Sequence, residues 1–240
     1  MNTNSRTAGP ATRTPNAAFS LIELIVVIAI IALLASLIFP IAAAAKKAQI
    51  RNRAKAEMEA IQTAIEEYKS KMGYYPPDNA PNWTANQLYF ELLGTTNIPS
   101  GNGIVYHTLD DSAQINASDL AAAIGPNISG FMNVSKGGED GVPARNFAKN
   151  IKAAQFMSIK NTLSAPASMA FGMPGATYPG PTLLTSATGS GAQLNPWRYN
   201  SSSPRFNPKS FDLWIDITVG DHTERICNWS DRPIVITTPY

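Results

Sequence analysis

The longest apolar stretch of the chain lies near its N-terminus. Residues 24–45 carry no charged side chain, and only Ser36 and Pro40 depart from an apolar run. At about 1.5 Å per residue, a helix of this length crosses the hydrocarbon core of a bilayer. Because Pro40 lacks a backbone N–H, we expect it to kink or locally melt the helix at residues 36–39. The pattern therefore predicts a membrane helix with a weak point near its end.

A single carboxylate precedes this apolar run. Glu23 stands directly before residue 24, with no basic residue closer than Arg13. An acidic side chain costs up to about 3 kcal/mol at the bilayer centre and less near the interface. One interpretation is that Glu23 only extends to the lipid headgroups. The other is that its carboxylate has a functional partner.

The pattern becomes amphipathic between residues 46 and 72. Apolar side chains recur at intervals of three or four, which predicts a helix that buries one face against a sheet. These residues are Ile50, Ala54, Met58, Ile61, Ile65, Tyr68 and Met72. Gly73 and the segment Tyr74-Tyr75-Pro76-Pro77 predict the end of this helix, because neither proline continues it.

The rest of the chain predicts shorter elements. Three short helices are expected at residues 83–93, 118–124 (with an N-terminal cap) and 145–159, and a strand at 104–109. Residues 172–208 are rich in Gly, Pro, Ser and Thr, and we expect a long surface loop there. Strands are expected at 211–218, 223–229 and 234–236, with a turn at 219–222. The fold class is α+β, a long N-terminal helix on a C-terminal antiparallel sheet.

Composition narrows the range of functions. The formal net charge of +2 comes from Arg6 and Arg13, because the remaining acidic and basic residues balance, and it predicts no nucleic-acid partner. Cys227 is the one cysteine, and we expect it to be buried as a small apolar residue. His107 and His222 are far apart, so no zinc ligand set is expected. No recognised catalytic motif occurs, and we predict a protein that is not an enzyme and needs no cofactor.

The segment Ala18-Phe19-Ser20-Leu21-Ile22-Glu23 resembles the prepilin peptidase site of type IV pilins and type II secretion pseudopilins. The resemblance implies that the chain is cut between Ala18 and Phe19 and that Phe19 is N-methylated. Ala18 stands where the family usually has glycine, and alanine is also a small residue. The resemblance further implies that Glu23 pairs with the free amine of a neighbouring Phe19 and sets subunit register. Pro40 falls where these families place a helix-interrupting proline.

This resemblance divides the chain into four parts. Residues 1–18 are expected to be a leader, 19–45 a transmembrane and filament-core helix, 46–72 the amphipathic helix of the head, and 73–240 a loop-rich head. The alternative is an ordinary secretory signal that is cut at 43–45 and releases a soluble protein. Five basic residues follow the apolar run and by charge alone favour a cytoplasmic head. They are Lys46, Lys47, Arg51, Arg53 and Lys55. The family instead places the head outside the inner membrane.

Two further segments resemble the major pseudopilin of type II secretion. Residues 66–76 are similar to the segment that ends its long helix. Asn195-Pro196-Trp197 and Ile226-Cys227-Asn228-Trp229 resemble landmarks of its C-terminal sheet. Family members bind one calcium between these landmarks, and the acids nearest to that role here are Asp216, Asp221 and Glu224. Calcium takes about six to eight oxygen ligands, and because the usual Gly- and Asp-rich run is missing we expect no conventional site.

The function that the resemblance implies is a pseudopilin in the bacterial inner membrane, with its head in the periplasm. Its expected partners are copies of itself in a helical filament, minor pseudopilins, prepilin peptidase and the inner-membrane secretion platform. A type IV pilin for adhesion, motility or DNA uptake is the nearest alternative. A binding protein or enzyme with an ordinary signal peptide is an alternative of another class.

Overall fold

The computed structural model describes residues 20–101, 103–135, 142–160, 164–173, 185–186 and 195–237, without the side chains of residues 37–40 and 185–186. The chain divides into two compact units. The first ends at Lys46, and the second runs from Lys47 to Tyr240. The expected α+β class is confirmed, because a long N-terminal helix is followed by sheets that are mainly antiparallel.

Helix α1 extends from Leu21 to Met72 and belongs to both units. In the first unit, its large apolar side chains from Leu21 to Ile41 are exposed wherever they are described. The backbone stays helical through Pro40, so the local melting expected at residues 36–39 is not seen there. A kink at Pro40 stays a prediction.

The second part of α1 has the predicted apolar face. Five of its seven predicted residues are buried, and Ile50 and Met72 are partly buried against the same core. The buried residues are Ala54, Met58, Ile61, Ile65 and Tyr68. Gly73 ends the helix with a φ of +87°, a conformation that glycine adopts without strain, and its N–H donates to the Lys69 carbonyl at 2.8 Å.

The other helices are shorter than predicted. Helix α2 covers Leu88–Leu93, so residues 83–87 of the expected helix are not helical. Helix α3, Leu120–Ala123, follows a 3₁₀ turn at Ala117–Asp119. The expected N-terminal cap there is wrong, since neither element has a side-chain cap hydrogen bond.

The helix expected at residues 145–159 is wrong. Residues 145–148 form neither helix nor strand, residues 149–150 form a turn, and a 3₁₀ turn at Ala153–Gln155 precedes a strand. The reason lies in distant contacts of its backbone. Arg145 donates its N–H to the Asn133 side chain at 3.0 Å, and Phe147 donates its N–H to the Leu92 carbonyl at 2.7 Å. The Arg145 carbonyl, which a helix would use within itself, instead accepts from Asn133 Nδ2 at 2.7 Å, and residues 156–159 pair with residues 168–171.

Two of the three sheets that the described residues form lie in the middle of the chain. The first has the order β3-β2-β1-β4, with β1 at Thr95–Ser100, β2 at Gly103–Thr108, β3 at Gln114–Asn116 and β4 at Val134–Ser135. The second has the order β6-β5-β7, with β5 at Phe156–Lys160, β6 at Ser168–Phe171 and β7 at Thr185–Ser186. Of these strands, the sequence predicted only β2.

The third sheet, which we call the C-terminal sheet, is antiparallel with the order β11-β10-β9-β8. Its strands are β8 at Arg198–Asn200, β9 at Asp212–Val219, β10 at His222–Cys227 and β11 at Ser230–Ile236. The three strands and the turn expected after residue 210 are confirmed. Gly220 in that turn has a φ of +75°, which favours glycine.

The surface loop expected at residues 172–208 is confirmed only in part. Residues 201–208 form no helix or strand and are at least partly exposed. Residues 195–200 are buried, and three of them form strand β8. Trp197 and Tyr199 fill the core there, which explains why this Gly- and Pro-rich region returns to the interior. Residues 174–184 and 187–194 lie outside the described part of the chain.

The two faces of β9 have different surroundings. Leu213, Ile215, Ile217 and Val219 alternate along the strand and belong to the main core, together with the buried face of α1. The residues between them point the other way, as the two-residue period of a strand requires. One face of the C-terminal sheet thus packs on α1, and this division decides where its acidic side chains point.

Candidate functional site

Glu23 lies in the first turn of α1. The Ser20 backbone N–H donates to Glu23 Oε2 at 2.9 Å, and the Glu23 N–H donates to the Ser20 carbonyl at 3.1 Å. A carboxylate in the first turn of a helix also interacts favourably with the helix dipole. Within one chain, Glu23 therefore has a local partner, which the sequence pattern did not identify.

The helix that follows Glu23 presents an apolar surface. Its large side chains between Leu21 and Ile41 are at least 45% exposed wherever they are described. Contiguous apolar patches of this kind are rare on soluble monomers and mark a membrane or protein interface. Helix α1 is long and apolar enough to cross a membrane. Its first part is thus built to be covered by lipid or by other apolar helices.

The side chains of three predicted site residues lie outside the described part of the chain. Ala18 and Phe19 lie outside the described residues, and of Pro40 only the backbone is described. Cleavage after Ala18, methylation of Phe19 and the pairing of its amine with Glu23 stay predictions.

Asp216 is completely buried in the head. Its Oδ1 accepts from Arg225 Nε at 2.7 Å and its Oδ2 from Arg225 Nη2 at 2.9 Å, a bidentate pair between β9 and β10. The register places the two residues opposite each other. The Arg225 guanidinium also lies 5.9 Å from the centre of the Trp214 ring. Both carboxylate oxygens of Asp216 are therefore engaged by one cation.

Glu224 joins the C-terminal sheet to α1. Its Oε2 accepts from Arg51 Nε at 2.6 Å, and Arg51 Nη2 bonds Oε1. His222 Nε2 lies 2.7 Å from Glu224 Oε1, while His222 Nδ1 lies 3.0 Å from Asp221 Oδ1. The bond from Arg51 holds the pKa of Glu224 below its usual value, although burial opposes the shift. The bond from His222 lowers the pKa of Asp221.

The structure does not bring the three acids into one site. Asp216 faces Arg225, whereas the adjacent Glu224 points to the opposite face of the sheet, toward α1. In the described ranges, no group of three or more His, Cys, Asp or Glu side chains is arranged to hold a metal ion. Cations or a histidine already bind these carboxylates, so the donor set does not fit calcium.

Two structurally important acids were missed by the sequence patterns. Buried Glu91 accepts the Tyr68 hydroxyl at 2.9 Å and the N–H groups of Met132 and Asn133 at 2.7 and 3.0 Å. Burial raises its pKa. Asp212, at the start of β9, accepts three backbone N–H groups. Neither acid has a local sequence signal, because its partners are brought near only by the fold.

Cys227 is free and buried, as predicted. Burial raises the pKa of its thiol, so the reactive thiolate is disfavoured. This environment is that of a structural cysteine, and it offers no redox chemistry to the head.

Comparison with known proteins finds one match, at the N-terminal end of the chain. Residues 13–39 match the family model described as the prokaryotic N-terminal methylation motif. No curated protein matches the chain. No solved structure matches it either. The matched residues include the predicted cleavage site, Glu23 and most of the exposed apolar helix. The chain carries the prepilin-type methylation motif that is characteristic of type IV pilin-like proteins, pseudopilins included.

Proposed function

We propose that the chain is a structural filament subunit, a pseudopilin of a type II secretion system. In this proposal prepilin peptidase cuts it between Ala18 and Phe19. The head then lies in the periplasm, and the subunit assembles with copies of itself and with minor pseudopilins on the inner-membrane secretion platform.

The observation that carries the proposal is the coupling of the methylation motif to a helix whose apolar surface is exposed. Exposure of an apolar helix to water is unfavourable, whereas lipid before assembly and other such helices after assembly cover its surface. A carboxylate moved into that apolar environment needs a cation or strong hydrogen bonds. The amine of a neighbouring Phe19 is such a cation, and it exists only after cleavage.

Features of the head favour a secretion pseudopilin over a pilin. The landmarks that resemble the major pseudopilin meet at the C-terminal sheet, where Asn195 Nδ2 donates to the Asp216 carbonyl at 2.7 Å. Asn228 accepts the Leu213 N–H and donates to the Phe211 carbonyl. A single buried Cys227 cannot form the internal disulfide with which many pilins close a C-terminal loop.

Deletion of the gene separates the candidate functions. A secretion pseudopilin predicts that the deletion strain retains its exported proteins in the periplasm and that the wild-type gene restores export. Loss of motility, adhesion or DNA uptake with normal export would instead identify a type IV pilin. Normal behaviour in all of these assays, with a soluble chain in the periplasm, would support the binding-protein alternative.

A further inference from the structure

The connection between β8 and β9, residues 201–211, is organised around a buried carboxylate. Asp212 is 2% exposed. Its Oδ2 accepts the backbone N–H of Arg205 at 2.7 Å and of Phe206 at 3.1 Å, and its Oδ1 accepts that of Asn207 at 3.0 Å. Hydrogen bonds from N–H groups to a charged acceptor are stronger than those between neutral groups.

Two more side chains hold the start of the same connection. Asp78 Oδ2 accepts the N–H groups of Ser201 at 2.7 Å and Ser202 at 2.8 Å. Asn200 Oδ1 accepts the N–H of Ser203 at 3.1 Å. Residue 204 is proline and has no N–H, so every backbone N–H from residue 201 to 207 donates to a side-chain oxygen.

This polarity is the reverse of that in a calcium loop. A calcium loop turns carbonyl and carboxylate oxygens inward onto the cation. Here backbone N–H groups converge on a carboxylate, as they converge on a bound anion in other proteins. A cation at the same point would face the positive ends of these N–H dipoles, and it would compete with the three N–H groups that Asp212 already accepts.

We propose that Asp212, assisted by Asp78, is the anion that orders the connection 201–211, so that this part of the head needs no bound cation. The head then keeps this connection folded whether or not calcium is present. The proposal concerns the head alone and does not depend on the filament function.

Limited proteolysis of the full chain in detergent tests the proposal, because trypsin can cut after Arg205 inside the connection. We expect the same rate of cleavage after Arg205 in excess EGTA and in millimolar CaCl₂. In the Asp212→Asn variant we expect the rate to rise about tenfold or more, because the amide loses the charge and one acceptor oxygen. Asp221→Asn, the same change at an exposed acid outside the connection, should leave the rate at the wild-type value.

Three results would overturn the proposal. One is wild-type cleavage that accelerates in EGTA and slows again when CaCl₂ is added. Another is an Asp212→Asn protein that is cut no faster than wild type. The third is equal acceleration in Asp221→Asn. If Asp212→Asn does not fold, two measurements still test the proposal. One is the cleavage rate of Asp78→Asn, since Asp78 contacts only the start of the connection, and the other is the comparison of wild type in EGTA and in CaCl₂.

Discussion

Ile28 and Ile61 lie on the same helix, yet Ile28 is 55% exposed whereas Ile61 is fully buried. The difference is one of surroundings and not of residue type. Residues from 47 onward have a core of their own to bury apolar side chains. The first unit contains no such core in its described part, because its apolar side chains point outward all around the helix.

This comparison shows how one helix serves two environments. In the head, apolar residues on one face of α1 are enough, and charged residues occupy the other faces. Before residue 46 the apolar residues surround the helix, which is the pattern of a segment buried on every side. The first part of α1 therefore needs lipid or other apolar helices to cover its surface, whereas the head buries its apolar side chains within one chain.

The largest expected effect comes from Glu23→Ala. The subunit should still enter the membrane, because its apolar run is unchanged, but filament assembly should fall by about tenfold or more. Sheared filaments compared with membrane-bound subunit measure this ratio. Glu23→Gln is the matched control: it keeps an acceptor for the Ser20 N–H but carries no charge.

The two variants at Glu23 separate its two roles. If the charge pairs with a neighbour's amine, Glu23→Gln should fail like Glu23→Ala. Normal assembly of Glu23→Gln would reduce the residue to a helix cap. Normal filaments from both variants would contradict any assembly role for this carboxylate.

Next in size is the matched pair Ile61→Ala and Ile28→Ala. Ile61→Ala leaves a cavity in the head and should cost about 2–5 kcal/mol, which lowers the melting temperature by about 5–15 °C for a head of this size. Ile28→Ala should leave the melting of the head unchanged. Thermal unfolding of the full chain in detergent measures both, and equal shifts would contradict the division between the two parts of α1.

A smaller effect is expected from Arg51→Met, which removes the cation that links α1 to the C-terminal sheet. Glu224 is then left buried without its guanidinium partner, and because Arg51 is partly exposed the loss should be about 1–2 kcal/mol. Lys55→Met is the control, since Lys55 only donates to the Asp231 carbonyl from an exposed position. Denaturant unfolding should separate the two variants, and an equal loss would show that the ion pair adds nothing specific.

The smallest effect concerns pH. Hydrogen bonds to Asp221 and then to Glu224 raise the pKa of His222 in the folded head. A raised pKa means that the contribution of this residue is complete below its ordinary value of about 6.5 and is lost as the pH rises through the folded value. The melting temperature should therefore decrease more steeply between mildly acidic and alkaline pH for wild type than for His222→Gln. Parallel curves would contradict this role of His222.

The sequence predicted the elements that are determined by residue periodicity or by a single turn residue. Both parts of α1 and its end at Gly73 follow from periodicity and from one glycine, and β9 and β10 follow from alternation. The helix expected at residues 145–159 fails because the Arg145 carbonyl accepts from the Asn133 side chain and residues 156–159 pair with β6. Strands β3, β4 and β7 have only two or three residues each, and β4 pairs with β1 far earlier in the chain, so their sequences carry little signal.

The same distinction applies to the candidate sites. Glu23 was found because it stands alone beside an apolar run. Asp212 was missed because its role is to accept three backbone N–H groups that only the folded connection brings together. Asp216 and Glu224 suggested one cluster in sequence, but the alternation of β9 and β10 puts them on opposite faces of the sheet.

The N-terminus of the mature chain tests the central claim most directly. We would purify the protein from membranes of the cells that produce it, and determine its intact mass and its N-terminal sequence. The account predicts a chain that begins at Phe19 with a methylated amine. An unmodified chain that begins at Ala44 or later would contradict it, because that chain would lack both Glu23 and the apolar helix.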